Sequence, residues 1–290
     1  MSSASKAKLD KRSPWDAQRG VIHTDKGGMV IGEAIYCHGF SLLDDLVGKA
    51  SFFQVLVLNS TGIFPEKRLA DWLETAFLCA SYPDARIWCN QIGSLAGTLR
   101  CTPVAAVSAG IFASDSKMYG PGTQKAGVCF IREALQKKIN GKSVTSIIHE
   151  HPHRTADGRP AIPGYIRPLI QGDERIGALE RVTAELGFTP GAHLQLGYEL
   201  SEELLATHME GMNAMGYVAA FLCDQGFFEE DQYRLMSTLV HSGVIACYAE
   251  AADRTPETFF PLHCDDIRYC GPPPRIVPEK NQGHKLEHLL

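Results

Sequence analysis

The run Pro163-Gly164-Tyr165-Ile166-Arg167-Pro168, continued through Gly172-Asp173-Glu174-Arg175, decides how the rest of this 290-residue chain is read. Pro163 and Gly164 set an irregular backbone. Pro168, which has no N–H to give, stops a helix from running through the turn. Asp173 and Glu174 then suit the positively polarised start of a helix predicted over residues 175–186. Arg167 is thereby placed on a short, stiff loop, and Arg175 at the head of the helix that the loop feeds. Planar guanidinium groups held in this way match a carboxylate or a phosphate through paired N–H donors. On local chemistry alone the simpler reading is a surface loop carrying two solvated arginines.

The same stretch, GYIRPLIQGDER, resembles without a gap the G-F-G-H-P-x-x-x-G-D-P-R segment of the citrate synthase and citryl-CoA lyase superfamily. In that family the histidine polarises the keto group of oxaloacetate and the final arginine grips a carboxylate. The resemblance gives Arg175 the carboxylate role and puts Arg167 where the histidine would stand. A second segment, AGIFASDSKMYGPG over 109–122, is similar to A-G-x-x-A-x-x-x-x-x-H-G-G-A, whose histidine meets the thioester carbonyl. Tyr119 takes that position. Its phenol can donate to a developing enolate, but with an ordinary pKa near ~10 it is a poor base; alternatively its ring simply fills the space.

A third segment, NAMGYVAAFLCDQGF over 213–227, resembles the N-V-D-x-x-x-G helix that carries the carbon-acid base. Asn213 is retained, whereas Met215 replaces the aspartate and cannot abstract a proton. Glu210 lies about one turn earlier on a predicted helix, and nothing in the sequence makes it a substitute. LVHSGVIACYAE, 239–250, aligns with R-x-x-G-x-I-x-H-x-x-E/D. The arginine is replaced near Val240, with His241 beside it to cover part of the charge. HCDDIRY, 263–269, resembles the H-x-x-D-D-I-x-Y segment of the lyase module of ATP-citrate lyase, one residue shorter between His263 and Asp265. His149, His151 and His153 alternate in IIHEHPH, so on an extended segment they would share a side. His149 or His151 is a candidate general base, with an ordinary pKa near ~6.5; no metal is expected there.

Composition sets the outer bounds. Hydrophobic residues make up 44% and charged residues 21%, as in an ordinary globular protein. A net charge of -5 supplies no basic footprint for nucleic acid or an anionic membrane. No apolar run reaches the ~18 residues of a spanning helix. Residues 1–12 have no apolar centre, so a secretory signal is not expected. The nine cysteines form no C-x-x-C pair. Those in AFLCA, GVCFI, AFLCD and VIACY read as buried reduced thiols, and hence as a cytoplasmic protein.

Along the chain, residues 30–40 are β-prone with Gly32 and Gly39 as breaks, and they resemble the I-x-Y-R-G-Y-D entry segment of citrate synthases. Residues 51–59 are an apolar helix or strand. Residues 66–80 put Leu69, Trp72, Leu73, Ala76 and Phe77 on one helical stripe. Residues 92–113 are rich in small residues, with Val104, Val107 and Ile111 at apolar spacing; the resemblance makes them central helices and the core of a homodimer. Further helices are predicted over 126–138, 175–186, 201–212, 214–223 and, as one long rod burying Leu235, Leu239, Val244 and Ile245, 229–251. Residues 147–159 are expected to be a loop.

The fold expected is mainly α: a citrate synthase-like two-subdomain helical fold over 14–278, with a small subdomain at approximately 150–240. Residues 1–13 are expected to be disordered, and 279–290 a tail. The activity implied is carbon–carbon bond formation or cleavage on a CoA thioester and a carboxylate or keto acid. Tyr119, Arg167, His149 and His151 would be catalytic, and Arg175, His241, His263 and Asn213 would bind substrate. No bound cofactor is expected, CoA thioester being the substrate. Two alternatives stand: an inactive CoA- or carboxylate-binding relative, and a β-keto acid decarboxylase or hydrolase.

Overall fold

The computed structural model describes residues 15, 19–20, 23–166, 172–259 and 264–276. Arg167 and His263 lie outside the described residues, as do residues 1–13, expected to be disordered, and the expected tail 279–290. The N-terminal described region is a small antiparallel sheet of β1 (Gly27–Val30), β2 (Ala34–Cys37) and β3 (Phe40–Ser41), in that order. Two residues, His38 and Gly39, join β2 to β3, and both take positive φ, 48° and 84°. That is the backbone a tight hairpin needs to match strand twist. A short π-helical turn at Leu42–Leu46 follows.

The main elements described after it are helices: α1 (Phe52–Thr61), α2 (Lys67–Ala80), α3 (Trp88–Thr98), α4 (Pro103–Ser114), α5 (Pro121–Ile139) and α6 (Val144–His149) precede the central turn. After it come α7 (Arg175–Glu185), α8 (Ala192–His208), α9 (Ala214–Asp224), α10 (Glu229–Leu235) and α11 (His241–Asp253). Residues 51–59, which the pattern leaves open between helix and strand, are helical because both ends are capped. Ser51 and Gln54 form a reciprocal capping box, and Gly62 closes α1 in the left-handed conformation at φ 83°.

The stripe predicted on α2 is buried through Leu69, Trp72, Leu73 and Ala76. Trp72 is wholly buried and stacks on Phe221 of α9 at 3.8 Å between ring centroids. Its indole N–H donates to Thr183 Oγ1 of α7 at 2.8 Å. One side chain thus ties three helices and satisfies its polar atom in doing so. α9 is apolar all round and buried over nearly its whole length, the mark of a central helix.

Buried apolar residues fall into two clusters. The larger draws on α1, α2 and α5 to α10; the smaller, built on Cys89, Val107, Val240 and Val244, lies among α3, α4 and α11. Small residues make the smaller one possible. A Cβ on Gly93 would sit 2.7 Å from Val244 O, one on Gly97 2.4 Å from Tyr248 O, and one on Gly110 2.6 Å from Val244 Cγ1. At Gly93 and Gly97 the helices meet backbone to backbone and at Gly110 backbone to side chain, and alanine has no room.

Several expectations need correction. The rod predicted over 229–251 is two helices, because Met236–Thr238 tightens into a 3-10 turn before α11 begins at His241. Ile245 is 39% exposed and Val104 77% exposed, so neither belongs to the core of this chain. Residues 92–113 form helices as expected, α3 and α4, split by the left-handed Arg100 and by Thr102, which caps α4. The helix predicted over 201–212 starts at Ala192 and ends at His208, where Met209 turns left-handed. Glu210 is therefore not on a helix below Asn213. The segment 147–159 is not all loop: α6 runs through His149.

Candidate functional site

The central turn is held by two glycines meeting face to face. Gly164 has φ 91°, and a Cβ there would lie 2.8 Å from Gly216 Cα. A Cβ on Gly216 would lie 2.3 Å from Gly164 O. The turn therefore presses directly on the start of α9. Asn213 fastens the contact. Its N–H donates to Gly164 O at 2.8 Å, and its side-chain amide donates to Ile166 O at 2.9 Å. Its Oδ1 caps α9, accepting from Met215 N and Gly216 N, each at 3.0 Å. The side-chain bonds of Asn213, expected to bind substrate, run to the backbone of Ile166, Met215 and Gly216. Tyr165 is buried beneath the turn, donating to Gly197 O at 3.2 Å.

Arg175 opens α7, as predicted, and meets Asp173. Nε donates to Asp173 Oδ1 at 2.8 Å, Nη2 to Oδ2 at 2.5 Å, and Nη1 to Cys79 O at the end of α2 at 3.2 Å. Asp173, its side chain wholly buried, also accepts from Ala214 N at 2.8 Å. Burial pushes the Asp173 carboxyl upward, but the Arg175 and Ala214 bonds outweigh it and hold the group below its ordinary range. One ion pair thus joins the ends of α2, α7 and α9. The sequence pointed to Asp173 only as a partner for a helix start. The i, i+2 acid–arginine spacing was the signal that could have revealed the fork.

Tyr119 stands on the loop between α4 and α5. Gly120 follows at φ 97°, where any Cβ would meet Ser114 O at 1.6 Å, so only glycine can turn the chain there. The phenol oxygen lies 3.5 Å from Cys89 Sγ, and the ring sits edge-on to Trp88 at 6.1 Å. Burial and the Cys89 contact push the phenol above its usual pKa, while Arg175 acts on it in the opposite sense. At neutral pH Tyr119 is an un-ionised donor. Cys89, nearly fully buried, is a contact that no motif announced.

The other predicted residues lie differently. Met215 is half-buried and packs on the larger core. His149 is exposed at the end of α6, so it does not share an extended face with His151. His151 is half-buried, 3.1 Å from Ala161 O through Nε2 and edge-on to Phe130 at 5.4 Å. A carbonyl only accepts, so Nε2 carries the hydrogen; burial lowers the pKa of this ring and keeps it neutral. His241 is exposed at the first residue of α11. Glu210 pairs with Arg159 at 2.6 Å. Among the described residues no group of three or more His, Cys, Asp or Glu side chains is placed to hold a metal ion.

Neither a protein-family model nor a curated protein sequence matches the chain. Solved structures do. Citryl-CoA lyase from Hydrogenobacter thermophilus superposes with a TM-score of 0.74 at 24% identity, over 89% of this chain and 98% of that one. ATP citrate lyase from Methanothrix soehngenii, solved with citrate and coenzyme A, superposes at 0.72 and 17% identity over 94% of this chain. This chain spans 44% of that much longer protein. Citrate synthase from Thermoplasma acidophilum gives 0.53 at 14% identity over 79% of this chain and 59% of that one.

The fold is the one these citryl-CoA lyase and citrate synthase structures share. The near-complete mutual coverage with the Hydrogenobacter protein puts the whole described helical body, not a fragment of it, in that fold. Asn213, Met215 and the Asp173–Arg175 pair sit at the central turn and the helix starts it presses on, and Tyr119 stands on the loop between α4 and α5.

Proposed function

We propose that this protein acts on a CoA thioester joined to a polycarboxylate, and that it cleaves the carbon–carbon bond between them rather than forming it. The observation that carries the reading is the Asp173–Arg175 fork, locked at the junction of α2, α7 and α9 beside a methionine where a carbon-acid base would be needed. A positively charged group so positioned holds a substrate carboxylate in one orientation. Condensation requires a proton to be taken from carbon, and Met215 cannot do that. Cleavage of a β-hydroxy acyl-CoA gives the hydroxyl proton to water, passes the bonding electrons to the thioester as an enolate, and ends when water protonates that enolate at carbon, so no carboxylate of the protein has to take a proton from carbon. Tyr119, held un-ionised, donates a hydrogen bond to that enolate oxygen. The structures of relatives with citrate and coenzyme A support the substrate class.

The working unit in this reading is a homodimer. α4 is apolar on every side, and beyond the face packed on α3 and α11 it leaves Val104 77% and Phe112 79% exposed, one stripe at i and i+8. Leu95 of α3 and Leu99 just past its end, 41% and 56% exposed, add a second stripe. A second copy laid on these helices would cover both.

A second reading has its own observation. The Tyr119 hydroxyl lies against Cys89, and Glu210 is held by Arg159, so a non-catalytic binder of CoA or a carboxylate fits the same residues. Incubation of the purified chain with citryl-CoA, followed by mass spectrometry of the acyl-CoA pool, separates the two. Appearance of acetyl-CoA supports the lyase. Saturable binding of citryl-CoA with no acetyl-CoA formed transfers the assignment to the binder.

A further inference from the structure

Two loops meet beside the central turn, and one buried carboxylate joins them. The first is a clasp over 154–160. Arg154 and Pro160 pair across it as an isolated bridge, Thr155 N donates to Arg159 O at 2.9 Å, and Arg159 N donates to Thr155 Oγ1 at 3.1 Å. The second is the loop from Met209 to Asn213, between α8 and α9. Arg159 Nη1 crosses from the first to the second and donates to Glu210 Oε1 at 2.6 Å.

The two sides of this pair differ. Arg159 is 43% exposed and also holds Asp157 Oδ2, at 2.7 Å from Nε. The Glu210 side chain is 10% exposed, and its Oε2 is buried with no hydrogen-bond partner among the described residues. A carboxylate so placed has lost water at both oxygens and gained a donor at one. Burying a charge that is only partly paired costs more than burying the neutral acid. The charged groups that face Glu210 are Arg159 and Asp157 from the clasp and His208 from the end of α8. Burial pushes the Glu210 carboxyl above its ordinary range; Arg159 and His208 draw it back in part, and Asp157 adds to the rise. Asp157 itself is held below its ordinary range by Thr155 and Arg159, so it stays ionised where Glu210 titrates.

We propose that Glu210 and Arg159 form a proton-operated latch between the clasp and the α8–α9 loop, tight while Glu210 is neutral and looser once it ionises. Opening the latch returns Glu210 to water and to an ordinary pKa of about 4.3. The closed form therefore has its full advantage below about pH 4, and loses it as pH rises through the raised value of the closed form. The latch bears on the central turn from both sides. The clasp runs on through Ala161 and Ile162 into Pro163 and Gly164, and Glu210 leads into Asn213, whose N–H holds Gly164 O. The device stands apart from the lyase reading and needs no substrate to be tested.

Hydrogen–deuterium exchange of the full chain from pH 4 to pH 8, corrected for intrinsic exchange rates and followed by mass spectrometry, reads the latch in peptides covering 154–162 and 204–213. Peptides of α2 serve as the reference for global loosening. In the parent, protection of both loop peptides is expected to fall at least threefold as pH rises and then to level. Glu210→Gln keeps an acceptor for Arg159 and removes the charge. Both peptides should then hold the parent's low-pH protection at every pH, so at pH 7 the variant without the ion pair is the tighter one. Arg159→Ala leaves the carboxylate alone and should lower protection at pH 7 at least threefold further, and His208→Gln should leave the parent's profile in place. Parent protection that is flat with pH overturns the proposal. So does a clasp loosened at pH 7 by Glu210→Gln, as loss of an ordinary stabilising ion pair would do, or a profile abolished by His208→Gln.

Discussion

At the scale of single residues, the proposed cleavage rests on two side chains whose protonation is set by their surroundings. Burial and Cys89 keep the Tyr119 phenol protonated, so its hydrogen bond is present throughout the range in which the fold is studied. Any turnover should show no alkaline limb from this group up to pH 9. Tyr119→Phe should lower turnover of citryl-CoA by about tenfold to a hundredfold, the usual range for losing one donor to an oxyanion, with the melting temperature little changed. Asp173 behaves in the opposite sense. Its pKa in the folded chain lies below the ~3.9 of an unfolded aspartate, so its contribution is whole above about pH 4 and is lost as pH falls through the folded value. Asp173→Asn should destabilise the chain by about 2 kcal/mol at pH 7, because Arg175 is left without its buried partner. The gap between variant and parent should close below pH 4 in urea melts; a gap independent of pH would contradict the assignment.

At the scale of elements, the central turn and α9 act as one piece. Gly164→Ala adds a methyl at φ 91° against Gly216 Cα and should cost about 2 kcal/mol or more by thermal melting. Asn213→Ala removes the cap of α9 together with the tie to Ile166 and should cost about 1 kcal/mol. The α2 stripe was legible in the sequence because one helix with one buried face writes a clean period, and Leu69, Trp72, Leu73 and Ala76 all face the core. The end of the rod predicted over 229–251 was not legible. Residues 236–238 carry no proline or glycine, and the 3-10 turn there comes from tertiary packing that buries Met236. Val104 and Ile245 have core-like spacing yet are exposed, since periodicity marks an apolar face and not what covers it. The histidine run failed for a related reason. Alternation places side chains on one side only in an extended strand, and α6 continues through His149. Of the candidate site, the motifs located Tyr119 and Arg175; the Asp173 fork and the Cys89 contact arise from folding and left little local trace.

At the scale of the whole molecule, the two cores divide the labour. The larger carries α7 and α9, with the ion pair and the cap. The smaller carries α3, α4 and α11, glycine-packed so closely that α4 has apolar surface to spare. The dimer proposed on that surface predicts that Leu99→Asp combined with Val104→Asp gives a monomer by sedimentation velocity while helical circular dichroism is retained; a parent chain that sediments as a monomer at micromolar concentration would remove the dimer. The central claim is that Arg175, aligned by Asp173, holds a substrate carboxylate. Calorimetric titration of citrate into the parent chain and into Arg175→Ala tests it directly. Saturable binding that weakens at least tenfold in the variant is the predicted result, and equal affinity in the two, or no binding to the parent, would contradict it.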